Sequence, residues 1–165
     1  MAKKDIDDIV EELLKGVEGG SEIEVELPSR GIGYESVEYP VKIRAITFQD
    51  EKAALGVKKS NINHLDFLLD RCVHGIKVSE MFIFDKLYLT FKLRQATHGS
   101  EFTGAITCPN CEEESAISYD LDKVPVKEVP ENFTDPVELT LPRSKKKCKI
   151  YHPRTKHSKF LTSAE

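Results

Sequence analysis

Two cysteines two residues apart, in Cys108-Pro109-Asn110-Cys111, are the residues of this 165-residue chain whose types and spacing most directly suggest chemistry. Two thiolates on a tight turn can both reach one ion at about 2.3 Å, and zinc is the metal such a pair selects in a structural site. Four ligands are needed, and the candidates for the others are Cys148, His152, Cys72, His74 and His98. Cys148 and His152 have an attractive spacing. On a straight strand, however, four steps of about 3.3 Å set them roughly 13 Å apart, so one ion takes both only if the chain bends. Cys148 alone is the better third ligand, which gives Cys108, Cys111 and Cys148 as the candidate metal set. Cys72 falls on the apolar face of an expected helix, where a free cysteine is ordinarily a core residue. Two further readings of the pair stay open: a metal-free turn, and a redox dithiol, although no thioredoxin-like βαβ pattern surrounds it. A closed zinc site would be structural, not catalytic.

The rest of the chain offers no catalytic pattern. It lacks Gly-x-x-x-x-Gly-Lys-Ser/Thr, Gly-x-Gly-x-x-Gly, Gly-x-Ser-x-Gly and His-Glu-x-x-His. His64, His74, His98, His152 and His157 are scattered, and the many acids single out no acid/base couple. The expectation is that the protein is not an enzyme. Four cysteines are too few for a disulfide scaffold. No apolar run is long enough for a transmembrane helix. The start, Met-Ala-Lys-Lys-Asp-Ile-Asp-Asp, is too acidic for a secretory signal.

The elements that must position the cysteines read as α+β. Ile6, Ile9, Val10, Leu13, Leu14 and Val17 form one stripe of an amphipathic helix over residues 5–17, closed by Glu18-Gly19-Gly20-Ser21. Such a stripe buries against its own domain or docks on a partner subunit. Glu22–Leu27 alternates as a half-buried strand, and Tyr39, Val41, Ile43 and Ala45 make a second. The loop Pro28–Tyr34 joins them, most simply as an antiparallel hairpin. Thr47 caps a short helix that stops near Gly56, with Asp50 three residues on in capping-box position. Ser60-Asn61 precede a second helix carrying Ile62, Leu65, Leu68, Leu69 and Cys72, closed by Gly75. A third starts at Ser79-Glu80 and runs towards Gly99. Ile83, Phe84, Leu87, Tyr88 and Phe91 fit it as a helix, Leu87, Leu89, Phe91 and Leu93 as a strand, and length favours the helix. Beyond Gly99 lies a small β module. Phe102–Thr107 and Ser115–Tyr119 flank the cysteine turn, residues 124–130 are extended, and Val137, Leu139 and Leu141, then Cys148 and Ile150, alternate.

A net charge of −4 hides an asymmetry. Acids dominate residues 1–26, whereas residues 143–159 carry Arg143, Lys145, Lys146, Lys147, Lys149, Arg154, Lys156 and Lys159 and no acid. The expected division is therefore 1–20 as acidic helix and hinge, 21–142 as the α+β domain, and 143–165 as a basic segment. That segment could meet phosphates, an acidic partner, or simply solvent. The stripe Ile6, Ile9, Val10, Leu13, Leu14, Val17 and the run Lys145, Lys146, Lys147 are the expected partner-binding residues.

Leu27-Pro28-Ser29-Arg30-Gly31-Ile32-Gly33-Tyr34, then Val41–Thr47, then Asp50-Glu51-Lys52, resemble the T-even-type bacteriophage baseplate protein family, counted among the hub subunits of contractile-tailed phages. The order continues with Cys72-Val73, a long helix with Asp85 and Gly99, the Cys108-Pro-x-Cys111 hairpin and Asp120-Leu121, so the resemblance covers residues 22–141. It implies a structural or assembly protein without catalytic activity, working in the hub or wedge through other tail or baseplate subunits. It would sit in the virion tail, and in the host cytoplasm during assembly. Zinc would be a structural cofactor at most, and neither a membrane nor a small-molecule substrate is expected. The alternative is a small zinc-ribbon-like module that binds nucleic acid. The acidic overall balance and the missing aromatic face count against it.

Overall fold

The structure is a computed structural model that describes residues 21–56 and 63–158. The expected helix bearing Ile6, Ile9, Val10, Leu13, Leu14 and Val17 lies outside the described residues.

Strand β1 (Ile23–Val25) pairs antiparallel with β2 (Val41–Ile43), Ile23 facing Ile43 and Val25 facing Val41. Alternation buries Val25, Val41 and Ile43 and leaves Glu24 and Lys42 exposed. A two-residue strand, β3 (Val73–His74), pairs along the other edge of β2 and completes the sheet in the order β1-β2-β3. Two residues are too few to show alternation, so this strand has no sequence signal.

Helix α1 (Phe48–Gly56) begins with a reciprocal cap. The Asp50 amide donates to Thr47 Oγ1 at 3.3 Å, and the Thr47 amide donates to Asp50 Oδ2 at 3.0 Å. Helix α2 (His64–Cys72) is capped by Asn63, whose Oδ1 accepts the Leu65 amide at 3.0 Å. It stops before the expected Gly75, because Val73 and His74 turn to pair with β2. Ser79 and Glu80 form a 3₁₀ turn (Val78–Glu80), not the first turn of the next helix. Helix α3 (Ile83–His98) follows and ends at Gly99, whose φ of +83° suits a residue without a Cβ. The helical reading of this segment is correct, but its buried row differs from the expected stripe. Asp85, Leu89 and Leu93, spaced four apart, face the core, while Leu87 and Phe91 are exposed.

The core gathers Leu27, Val41, Ile43, Leu69, Cys72, Met81, Leu89 and Leu93 between sheet and helices. An aromatic cluster adjoins it, with Phe82 stacked on Phe84 at 5.2 Å and edge-on to Phe133 at 5.8 Å. Beyond α3 come two separate hairpins, β4–β5 (Glu101–Thr107, Glu114–Asp120) and β6–β7 (Val137–Thr140, Lys147–Ile150). The second one brackets the division expected at 142/143, which falls in its turn. After β7 the chain returns to the start of α3. The Thr155 amide donates to Met81 O at 2.9 Å, and the Ile83 amide donates to Pro153 O at 3.1 Å.

Candidate functional site

Two buried polar knots hold the surface elements in place. In the first, Asp85 is fully buried and accepts the Ser29 amide at 3.1 Å and the Tyr34 hydroxyl at 2.6 Å. The same hydroxyl accepts the Phe82 amide at 2.9 Å. Burial, not a nearby cation, dominates here: it pushes both the Asp85 carboxyl and the Tyr34 phenol up from their ordinary values. In the second, Asp135 takes Arg154 Nη2 at 2.7 Å and the His152 amide at 2.8 Å, and its Oδ1 lies 3.1 Å from His152 Nδ1. Burial raises the Asp135 carboxyl, but these partners outweigh it and hold the group below its usual range. Arg154 also donates to Gly33 O at 2.7 Å and lies 4.4 Å from the Phe82 ring centroid. The chain's return is thus locked onto the loop after β1.

A third buried acid, Asp50, serves α1. It accepts Arg44 Nη1 at 2.6 Å and Arg71 Nε at 2.7 Å in addition to its capping bonds, and the Arg44 guanidinium above all holds its carboxyl well below the ordinary range. Cys72 lies in the core with Sγ 3.9 Å from Asp50 Oδ2; burial pushes its thiol up to about 11. It is a core residue, as its helix face foretold.

The cysteine pair occupies the tip of the β4–β5 hairpin. The Cys108 amide donates to Glu113 O and the Glu112 amide donates to Cys108 O, both at 2.9 Å, closing the turn. Glu112 adopts φ +58°, a left-handed conformation that a non-glycine residue enters at a cost. The Cys111 and Asn110 amides point at the Cys108 sulfur and lower its pKa. Cys148 is elsewhere: it sits on β7 with Sγ 3.5 Å from Leu139 O. Among the described residues no three His, Cys, Asp or Glu side chains gather as a metal-binding set. The structure therefore brings Cys108 and Cys111 together and does not bring Cys148 to them.

The basic run is dispersed by folding. Lys145, Lys146 and Lys147 stand exposed at the β6–β7 turn. Lys149 pairs with Glu138, Lys156 pairs with Glu80, and Arg154 is absorbed by Asp135. A cleft of about 980 Å³ opens nearby, lined by Tyr34, His74, Lys77, Asp135, Arg154 and His157 among others. Its charges are mixed, and its Asp135–Arg154 pair is already engaged.

Sequence reasoning missed Asp135 and the His152–Arg154 turn, whose partners lie up to 121 residues away. One signal was available in part: an acid, Asp85, in a row otherwise formed by Leu89 and Leu93.

No described helix is long and apolar enough to cross a membrane. A family model described as "T4 bacteriophage base plate protein" matches residues 20–163. No curated protein and no solved structure matches the chain.

Proposed function

We propose that this chain, which belongs to the T4 bacteriophage base plate protein family, is a structural or assembly component of a contractile tail baseplate, seated in the hub or wedge. It works by contacts with neighbouring tail subunits and not by catalysis. The family match, spanning residues 20–163, carries this reading, because it takes in both polar knots and both hairpins. The exposed surface supports it. A lone two-stranded hairpin is marginal in water, and this chain projects two of them. Phe102, Ile106 and Tyr119 lie on one face of β4–β5 and are 39%, 52% and 55% exposed. Neighbouring subunits would cover such a face, and Lys145–Lys147 would steer an acidic one into place. The chain would reside in the virion tail after an assembly stage in the host cytoplasm.

Mass spectrometry of purified virions and of tail intermediates, after cross-linking, tests the assignment. Cross-links from Lys145, Lys146 or Lys147 to other tail subunits are expected. Absence of the chain from both virions and intermediates, or tight DNA binding that falls steeply with salt, would overturn it.

A further inference from the structure

We propose that Cys108 and Cys111 are a reversible dithiol: Cys108 attacks a small disulfide, and Cys111 then closes a Cys108–Cys111 bond within the hairpin tip. The turn brings the two together. The Glu112 amide donates to Cys108 O at 2.9 Å, a span of four residues as in one turn of helix, and positions three apart in such a turn share a side. The Cys111 thiol donates towards the Cys108 sulfur, so the sulfurs face each other. Both are open to attack, Cys111 exposed and Cys108 partly so. No third His, Cys, Asp or Glu joins them as a metal ligand among the described residues.

The tip assigns the two roles. The Cys111 and Asn110 amides point at the Cys108 sulfur, favour its thiolate and make it the nucleophile. Cys111 stands beside it to resolve the mixed disulfide. Cys72 is enclosed in the core with its thiol pushed up to about 11, and Cys148 lies on the other hairpin against Leu139 O. The Cys108 thiolate bonds to one sulfur of a disulfide RSSR and expels RS⁻. Cys111 gives its proton to water, attacks the Cys108 sulfur and expels the second RS⁻. Both RS⁻ take up protons, so two protein thiols are oxidised to one disulfide and RSSR is reduced to two RSH. Closing a bond across so short a turn strains it, and a strained disulfide is readily reduced, so a small dithiol reverses the reaction.

The surroundings select the disulfide. Glu112, Glu113 and Glu114 are exposed beside the pair, and residues 101–122 contain no Lys or Arg. They repel an anionic disulfide and attract a cationic one. The reaction belongs to the free chain and uses the tip, not the face of Phe102, Ile106 and Tyr119.

The test treats the full-length reduced chain, in the presence of a chelator, with equal concentrations of cystamine, a cationic disulfide, or oxidised glutathione, an anionic one. Masses of the chain and of its digests are followed with time. The expected result is loss of two hydrogens, mapped to Cys108 and Cys111 and reversed by dithiothreitol. At low salt cystamine should react about tenfold faster or more. That gap should shrink as salt rises, and in a variant carrying Glu112→Gln, Glu113→Gln and Glu114→Gln. Cys111→Ser should accumulate a mixed disulfide on Cys108, Cys108→Ser should react more slowly, and Cys148→Ser should behave as the unaltered chain. A bond from either cysteine to Cys148, no mixed disulfide in Cys111→Ser, or equal rates with the two disulfides at low salt would each overturn the proposal. None of these outcomes bears on cross-links to tail subunits, so the baseplate assignment stands or falls separately.

Discussion

The Tyr34 hydroxyl donates to Asp85 at 2.6 Å across 51 residues of chain, fastening the loop after β1 to the buried row of α3. Because this oxygen also accepts the Phe82 amide, Tyr34→Phe leaves a buried amide and a buried carboxylate each short of a partner. The expected loss is about 1–3 kcal/mol in urea denaturation. Tyr119→Phe, on the exposed face of β5, should change stability by less than about 0.5 kcal/mol. Equal effects would show that Tyr34 contributes only its ring.

The acids make opposite contributions to the pH profile. Asp50 has a lowered pKa in the folded state, chiefly through Arg44, so its stabilisation is full above about pH 4 and is lost as pH falls through the folded value. Asp85 is raised by burial, so its ionisation costs stability, which returns on acidification. Asp50→Asn should therefore flatten the acid limb of the stability profile and cost about 3–5 kcal/mol at neutral pH, since Arg44 and Arg71 lose their partner. Unfolding midpoints measured down to acid pH check this; an unchanged acid limb would refute it.

Two glycines should respond oppositely to alanine. At Gly75, φ is +98° and an added Cβ would lie 2.7 Å from Glu38 O, a backbone atom already tied to this turn by the Glu38 amide to Gly75 O bond. Gly75→Ala is expected to cost more than about 1 kcal/mol, by the left-handed penalty alone. Gly56 has nothing within 4 Å of its added Cβ among the described residues and ends α1, so Gly56→Ala should be neutral or stabilising by up to about 1 kcal/mol. Thermal midpoints of the two variants suffice.

Reversing Lys145, Lys146 and Lys147 to Glu replaces three exposed positive charges with negative ones at the β6–β7 turn. Stability should move by about 0.5 kcal/mol or less. Capture by tail intermediates should slow, with the difference from the unaltered chain shrinking as salt rises. Unchanged capture at low salt would remove these lysines from the interface.

Local rules read much of the fold. Strict alternation announced β1 and β2, the Thr47–Asp50 spacing announced the capping box, and the segments read as short strands at Phe102–Thr107 and Ser115–Tyr119 fall within β4 and β5. These signals are legible because strand period, capping and tight turns are settled by residues within a few positions of one another. The family order of short motifs also agrees with the match over residues 20–163.

What tertiary structure decided depends on distant neighbours. The sequence by itself marked β1, β2 and the three described helices, but neither the short strand β3 nor the 3₁₀ turn at Val78–Glu80. It did not set which face of α3 is buried, because Leu87 and Phe91 are as apolar as Leu89 and Leu93, and only packing against the sheet chose the row through Asp85. Nor did it separate Arg154 from the basic run that leaves Lys145–Lys147 in solvent. That separation comes from Asp135 and Gly33 meeting Arg154 in space, and hydrogen bonds across 19 and 121 residues leave no trace in local pattern.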